Sequence, residues 1–191
     1  MQSFKILGVT LDSKLTFEEH IRSVCASVNR KCGLLRKCYK MFASEATVLH
    51  SFYAFILPHL EYCAPVWMSA ADSHLRLLDR TLRSIQFVLP NLLIDLSHRR
   101  SVGALSVLYK VFKNQQHPLH CRLPPPYHPF RVTRQALNLN TCALTHIRCS
   151  TNQFSRCFMP ALIERWSTLP ESAVSADSVV TFKRVINRAL L

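Results

Sequence analysis

Residues 16–40, TFEEHIRSVCASVNRKCGLLRKCYK, decide the fold class of this chain. Apolar side chains recur there at spacings of three and four, which is the period of one face of an α-helix. Thr16 and Glu19 match a capping box, in which two side chains satisfy backbone N–H groups at a helix start. The stretch therefore predicts a long amphipathic helix over 17–40. Its apolar face comprises Phe17, Ile21, Val24, Val28, Cys32, Leu35 and Tyr39.

The opposite face of this helix is basic. Simple solvation is the ordinary explanation of such a face, and contact with a polyanion is the alternative. The whole chain has 24 Lys and Arg against 11 Asp and Glu, a net charge of +13 that is spread along its length and favours nucleic acid as a partner. The basic face carries Arg22, Arg30, Lys31, Arg36, Lys37 and Lys40.

Similar periodicity predicts further helices along the chain. Ser44, Asp72 and Ser155 are candidate N-caps for three of them, and Pro58 is expected to kink or end the first of these. The predicted ranges are 45–57, 73–89, 96–113, 156–168 and a last helix that starts at Ser175 or Asp177 and runs to 190.

The remaining segments set the domain expectations. Residues 4–11 are short, apolar and β-branched, which predicts one strand followed by a turn at 12–14. Such a strand lacks a partner within this chain, so an upstream segment is expected to be missing. Residues 114–153 are rich in proline and predict a linker or extended excursion. The expected fold is mainly α, with one N-terminal strand (1–15), a helical bundle (16–113), this excursion (114–153) and two C-terminal helices (154–191).

Few residues suggest catalysis or metal binding. The 3 glycines are isolated, which argues against phosphate-cradling loops. Glu18 and Glu19 are adjacent, but they lie in a helix's first turn, where the helix dipole already favours acids. His117-x-x-His120-Cys121 lacks the second ligand pair that zinc sites usually show. We therefore predict no catalytic residue, no metal ligand, no cofactor and no small-molecule substrate.

The 8 cysteines contain no CxxC pair and follow no signal peptide, so we interpret them as reduced, small core residues. No apolar run reaches the roughly 18–20 residues that a membrane span needs. An intracellular, reducing compartment is expected, with no membrane association, and the sequence does not distinguish nucleus from cytoplasm.

Several motifs, in order along the chain, resemble the reverse transcriptases of jockey-like non-LTR retrotransposons. FKILGVTLD at 4–12, LTF at 15–17 and HI at 20–21 resemble the segment where the palm passes into the thumb. Tyr53 and LPHLEYCAPVW at 57–67 are similar to a thumb segment, and HRR at 98–100 with LSVLY at 105–109 to a later helix. FSRCF at 154–158, WSTLP at 166–170 and FK at 182–183 resemble the ending of these proteins, although Ser167 stands where Asn is common.

The resemblance implies a fragment of an RNA-directed DNA polymerase. The catalytic aspartate motif, the fingers and most of the palm have no counterpart here, so no activity is implied for this chain, and the Mg²⁺ ligands of the complete enzyme would lie outside it. The helices would form a thumb whose cations contact RNA or DNA backbone. The residues expected to contact phosphate are Arg22, Arg30, Lys31, Arg36 and Lys37, followed by Arg99 and Arg100.

Other functions stay open at this point. The chain could be a helical scaffold whose apolar faces dock a partner such as the missing palm, or an unexpressed or non-functional transposon remnant. A self-contained enzyme is the weakest reading. The salt dependence of binding distinguishes contact with nucleic acid from docking as a scaffold, because phosphate binding weakens steeply with ionic strength whereas apolar docking does not.

Overall fold

The computed structural model confirms a mainly α fold. It describes residues 3–41, 44–86, 89, 92, 94–128 and 139–190, and it divides into two compact units, Met1–Leu96 and Ser97–Leu191. The helix that begins at Leu96 thus lies almost wholly in the second unit, whereas the sequence grouped it with the helices before it. The segment boundaries expected from the sequence stay predictions.

The elements of the first unit begin with two strands. They are β1 (Ser3–Ile6), β2 (Val9–Asp12), α1 (Glu18–Met41), α2 (Glu45–Ser51), a π-helical turn (Phe52–Ile56), α3 (Leu57–Glu61), α4 (Ala64–Trp67) and α5 (Asp72–Gln86). Those of the second are α6 (Leu96–Lys113), a 3₁₀ turn (His120–Arg122), α7 (Asn152–Ser155), α8 (Phe158–Ser167), α9 (Glu171–Val174) and α10 (Val179–Ala189).

The single N-terminal strand predicted from the sequence is wrong, because the segment is a β-hairpin. β1 and β2 pair antiparallel, with Ile6 opposite Val9. Leu7 and Gly8 form the two-residue turn, and both have positive φ (47° and 85°), as a type I′ turn requires. The strand therefore finds its partner within the chain.

Asp12 at the end of β2 organises the start of α1. Its carboxylate accepts hydrogen bonds from the backbone N–H groups of Lys14 (3.0 Å), Thr16 (3.1 Å) and Phe17 (2.8 Å), and from the Thr16 hydroxyl (3.0 Å). The predicted capping box is therefore wrong, because the Thr16 side chain binds Asp12 and Phe17 is the residue before the helix. Burial alone would raise the pKa of Asp12, but these hydrogen bonds outweigh it and hold the pKa below its usual value.

The second helical stretch continues past Pro58 and does not end there. Because proline has no N–H to donate and its ring crowds the preceding turn, the helix widens before it. The π-helical turn takes up this change, with the Leu57 N–H bonded to the Phe52 carbonyl, and α3 follows directly. Ser44 caps α2 by accepting the Thr47 N–H at 3.2 Å, as predicted.

One hydrophobic core holds the first unit together. The face of α1 that includes Ile21 and Val28 supplies one wall, as its periodicity predicted, although Tyr39 at the end of the predicted face is 42% exposed. The remaining walls come from α2, the π-helical turn, α3 and α5. Trp67 closes one end, and its indole N–H donates to the Tyr62 carbonyl at 2.8 Å. The most deeply buried large side chains are Ile21, Phe52, Ile56, Leu60, Trp67, Leu78, Ile85 and Leu89.

The core of the second unit is aromatic. The Tyr109 and Phe182 rings stack with centroids 4.4 Å apart, and the Phe112 and Trp166 centroids are 5.0 Å apart. The Tyr109 hydroxyl, which is buried, donates to the Ala176 carbonyl at 2.6 Å. These contacts join α6, α8 and α10.

A loop before α7 is fastened to the end of α8 through Asn140. Its side-chain amide donates to the carbonyls of Trp166 (2.6 Å) and Leu169 (3.2 Å) and accepts from the Cys142 N–H (3.0 Å). In return the Trp166 indole donates to the Cys142 carbonyl at 3.0 Å. The Trp-x-x-Leu-Pro motif is therefore a structural clamp in this chain.

The described part of the proline-rich segment forms turns. It contains the 3₁₀ turn and an isolated antiparallel bridge between Pro126 and Leu144, and residues 129–138 lie outside the described part. The C-terminal helix starts were predicted imprecisely. Thr151 caps α7, Cys157 precedes α8 where Ser155 was expected as the cap, and Ser178 caps α10 where Ser175 or Asp177 was expected.

All eight cysteines are free thiols. The interpretation of them as core residues holds for Cys25 and Cys32, which are buried, and is wrong for Cys38 and Cys121, which are exposed. Burial raises the pKa of the Cys25 and Cys32 thiols. None of the helices in the described ranges combines the length and the apolar character that a membrane crossing requires.

Candidate nucleic-acid interface

The exposed face of α1 carries a row of cations. Arg22, Arg30, Lys37 and Lys40 are all exposed, and at 3.6 residues per turn they fall within about 80° of arc. From the first to the last, this row extends about 27 Å along the helix axis at the helical rise of about 1.5 Å per residue. The row lies away from the buried face of the helix, which includes Ile21 and Val28.

A second row of cations lies on the neighbouring helix α5. Arg76, Arg80 and Arg83 are exposed and fall within about 60° of arc. Two contacts show that α1 and α5 run parallel: Glu18 Oε2 is 3.8 Å from His74 Nε2, and the Arg36 guanidinium donates to the Ser84 carbonyl.

The two rows border the same outer side of this helix pair. Glu18 and Arg36 lie on the edge of α1 that meets α5. The cations of α1 lie beside this edge, on the surface of the helix that faces away from the core. His74 and Ser84 mark the corresponding edge of α5, which its arginines follow in the same way. We call the combined surface the basic seam, and it consists of Arg22, Arg30, Lys37, Lys40, Arg76, Arg80 and Arg83.

Little negative charge neutralises the α1 part of the basic seam. Arg22 pairs with Glu18 across one turn at 2.8 Å, and both side chains are largely solvated, so the pair is weak. Within the described ranges, Arg30, Lys37 and Lys40 make no ion pair. Three cations of α1 are thus available to an anionic partner.

Two of the predicted contact residues serve internal contacts. The Lys31 ammonium donates to the Phe55 carbonyl at 3.1 Å and lies 2.7 Å from His59 Nε2. Arg36 is half-buried, and its guanidinium ties α1 to the Ser84 carbonyl of α5. Lys31 and Arg36 therefore join α1 to its two neighbours, and the structure does not place them on the basic seam.

Arg99 and Arg100 belong to the second unit, near the start of α6. Arg99 is exposed, whereas Arg100 is only 9% exposed. The second unit also holds more of the excess charge, with 13 of the 24 Lys and Arg but only 3 of the 11 Asp and Glu. Its exposed cations on α10 include Lys183, Arg184 and Arg188.

Of the seven predicted residues, Arg22, Arg30 and Lys37 come together on one surface. The sequence did not select Lys40 or the α5 arginines as contacts, although their spacing of three and four residues was visible. What the sequence could not supply is the packing of α5 beside α1, which turns two separate rows into one surface.

The described residues offer no centre for metal chemistry. No group of three His, Cys, Asp or Glu side chains among them could hold a metal ion. His117 Nδ1 accepts the Leu119 N–H, and His120 Nδ1 lies 2.9 Å from the Val111 carbonyl, so the histidine-rich motif serves local backbone contacts.

Comparison with known proteins adds no family. No protein-family model matches the chain, and neither a curated protein nor a solved structure matches it.

Proposed function

We propose that this chain is a non-catalytic, C-terminal portion of a jockey-like non-LTR retrotransposon reverse transcriptase that binds the backbone of a template–primer duplex. The ordered motifs, from the FKILGVTLD segment to the WSTLP segment, support the family origin. The observation that carries the binding function is the basic seam. Template and primer phosphates would lie along it, in the manner expected of a thumb.

The dimensions and charge of the basic seam suit a nucleic-acid backbone. Each strand of duplex DNA carries one phosphate per about 3.4 Å along its axis, so a row of about 27 Å passes several of them. Flexible Lys and Arg side chains on a helix face contact phosphates without reading bases. Binding is therefore independent of sequence and driven largely by counterion release.

A helical docking scaffold is the second candidate, and a specific surface favours it. All four residues of β1 are exposed, among them Phe4 and Ile6, and the turn residue Leu7 is 85% exposed. Tyr53 and Phe55 of the π-helical turn are exposed as well. Phe4 and Ile6 are two residues apart on β1 and so share one face of the hairpin, and a group of exposed apolar side chains on one face is typical of a protein contact. The palm and fingers of a complete enzyme would be the partner.

Paired charge removals on the full chain test the proposed interface. The double variant Arg30→Gln, Lys37→Gln removes two cations of the basic seam that have no ion pair. The matched control, Arg122→Gln with Arg148→Gln, removes the same charge from exposed positions of the second unit. Affinity for a labelled RNA–DNA duplex is measured for each across a range of salt concentrations.

The seam variant is expected to bind more weakly, and its salt slope should be smaller by about 0.9 for each phosphate that it no longer neutralises. The control should retain most of the affinity. Equal weakening of both variants would show that only net charge matters and would contradict the assignment to the basic seam. Salt-independent capture of a palm domain, without duplex binding, would favour the scaffold instead.

A further inference from the structure

A pocket of about 410 Å³ lies in the first unit, on the side of α1 next to the basic seam. The hairpin forms one wall, the first turns of α1 a second, and α3 a third. The pocket-facing residues His20, Ser23 and Ser27 lie about 60–120° around the helix from the centre of the cation row. Its volume falls within the usual range of roughly 300–1,000 Å³ for small-molecule sites.

Hydrogen bonds between the walls hold this pocket open without a ligand. The Tyr62 hydroxyl of the α3 end donates to the Leu7 carbonyl of the hairpin turn at 2.9 Å. The Thr10 N–H of β2 donates to His20 Nδ1 of α1 at 3.4 Å. Gly8 lies directly under the Tyr62 ring, because a Cβ there would be 3.4 Å from Tyr62 Cε1. The site is therefore preformed, which lowers the entropic cost of binding.

The lining residues are rich in hydrogen-bond donors and contain no carboxylate. Lys5 supplies an ammonium group, and Ser23 and Ser27 supply hydroxyls one helical turn apart. Neither serine hydroxyl has a hydrogen-bond partner in the part of the chain that the structure describes. His59 lines the pocket with the Lys31 ammonium 2.7 Å behind it. A ligand with several acceptor atoms and negative charge matches these groups.

The electrostatic state of His20 agrees with this polarity. Burial, and next the nearby Lys5 ammonium, hold the pKa of His20 below its usual value. The imidazole is neutral at pH 7 as a result. Because its Nδ1 accepts the Thr10 N–H, its proton lies on Nε2. The positive charge at the pocket comes from Lys5 and Lys31, and no acidic residue of the described chain lines the pocket to balance it. A bound anion would neutralise this charge.

Apolar surface completes the pocket. Val24 and Pro58 line it, together with the Tyr62 ring. A bare inorganic ion would leave this surface in contact with water, whereas an organic anion would cover it. The lining therefore suits a ligand with a flat or apolar body and an anionic head.

We propose that this pocket binds a small organic phosphate, a phosphomonoester on a flat body of mononucleotide size, with Lys5, Ser23 and Ser27 donating to its phosphate oxygens. Phosphate is favoured because its three terminal oxygens can use an ammonium and two hydroxyls at once. The sequence predicted no small-molecule substrate, because the residues that line this pocket come from three segments that are distant in sequence. This site is independent of duplex binding along the basic seam.

The test titrates adenosine 5′-monophosphate into the full 191-residue chain, with backbone amide NMR signals as the readout. Adenosine and inorganic phosphate are titrated separately, because each carries only one half of the proposed ligand. The variants are Lys5→Gln and the double Ser23→Ala, Ser27→Ala. Their matched controls are Lys37→Gln on α1 and Ser172→Ala on α9, and circular dichroism confirms that each variant is folded.

Saturable binding of the nucleotide, with shifts centred on residues 20–27 and 58–62, is the expected result. Adenosine and phosphate should each bind at least about tenfold more weakly, and both pocket variants should lose about tenfold in affinity while the controls keep it. Absence of saturable nucleotide binding would overturn the proposal. So would equal affinity for adenosine, or equal losses in variants and controls.

The same variants separate this proposal from the proposed function. Lys37→Gln should weaken duplex binding and leave nucleotide binding unchanged, whereas Ser23→Ala with Ser27→Ala should do the reverse. If the nucleotide does not bind but the duplex does, only the proposed nucleotide site is refuted. If the duplex does not bind but the nucleotide does, only the proposed duplex binding along the basic seam is refuted.

Discussion

Replacing Asp12 with alanine is expected to destabilise the first unit by roughly 3 kcal/mol. The carboxylate accepts four hydrogen bonds around the start of α1, and the bond from the Phe17 N–H is buried. Each hydrogen bond to a charged group contributes about 1.5–3 kcal/mol, but donors near the surface form hydrogen bonds with water when their protein partner is removed. The net cost therefore corresponds to roughly two full hydrogen bonds.

Backbone conformation adds to the dependence on Asp12. Leu15 and Phe17, on either side of Thr16, have φ of 51° and 57°, a left-handed conformation that costs most residues about 1–2 kcal/mol. The Asp12 hydrogen bonds hold this loop in place. Without them the loop would relax, and the entry of the chain into α1 would change.

The two tryptophans allow each unit to be followed separately. Trp67 is buried in the first unit and Trp166 in the second. Urea unfolding of Asp12→Ala in a Trp166→Phe background, read by Trp67 fluorescence, gives the stability of the first unit alone. Glu19→Ala is the matched control, because it removes a nearby carboxylate that would matter only if the predicted capping box existed. It should cost less than about 1 kcal/mol.

The pH dependence gives a second check. The pKa of Asp12 is lower in the folded chain than its value of about 3.9 in the unfolded chain. The carboxylate therefore contributes its full stabilisation at pH values above about 3.9, and this stabilisation is lost as pH falls through the pKa of the folded state. The stability difference between wild type and Asp12→Asn should therefore shrink as pH falls below about 4. A loss below about 0.5 kcal/mol for Asp12→Ala, or an equal loss for Glu19→Ala, would refute this account of the helix start.

Three further predictions concern other parts of the chain. Asn140→Ala should destabilise the second unit by about 2–3 kcal/mol, read by Trp166 fluorescence, because it removes three hydrogen bonds; an unchanged unfolding midpoint would argue against the clamp. Leu7→Asn should stabilise the first unit by about 1 kcal/mol, since Asn tolerates the left-handed turn position, and a destabilised hairpin would contradict the type I′ assignment. Cys25 and Cys32 should resist thiol reagents in the folded chain, because burial raises their pKa, and mass spectrometry should find them modified only after unfolding.

The helices could be predicted because their patterns are local. α1 and α6 follow apolar residues at helical spacing, and the structure reproduces the predicted range of α6, 96–113. The hairpin was missed because residues 4–11 are apolar almost throughout, so that nothing but Gly8 marks a turn. Leu7 is a rare residue at a left-handed turn position, which made the two short strands look like one.

The candidate site was only partly predictable. Periodicity identifies which residues share a face of α1, and three of the five cations expected on it do lie on the basic seam. Arg36 was misjudged because it lies at the edge of the basic face, where α5 packs against it. Arg100 shows the same difficulty, since its burial depends on the packing of the second unit. The pocket depends on contacts such as Tyr62 with Leu7, which are 55 residues apart in sequence.

The affinity of the folded chain for an RNA–DNA template–primer duplex, measured as a function of salt concentration, tests the central claim most directly. Our account predicts binding at low salt and a steep linear decrease of log affinity with log salt, with a slope that corresponds to several neutralised phosphates. Absence of binding at low salt from a sample with intact helical structure would contradict it. Binding that does not change with salt would also contradict it, because contact with phosphates releases counterions.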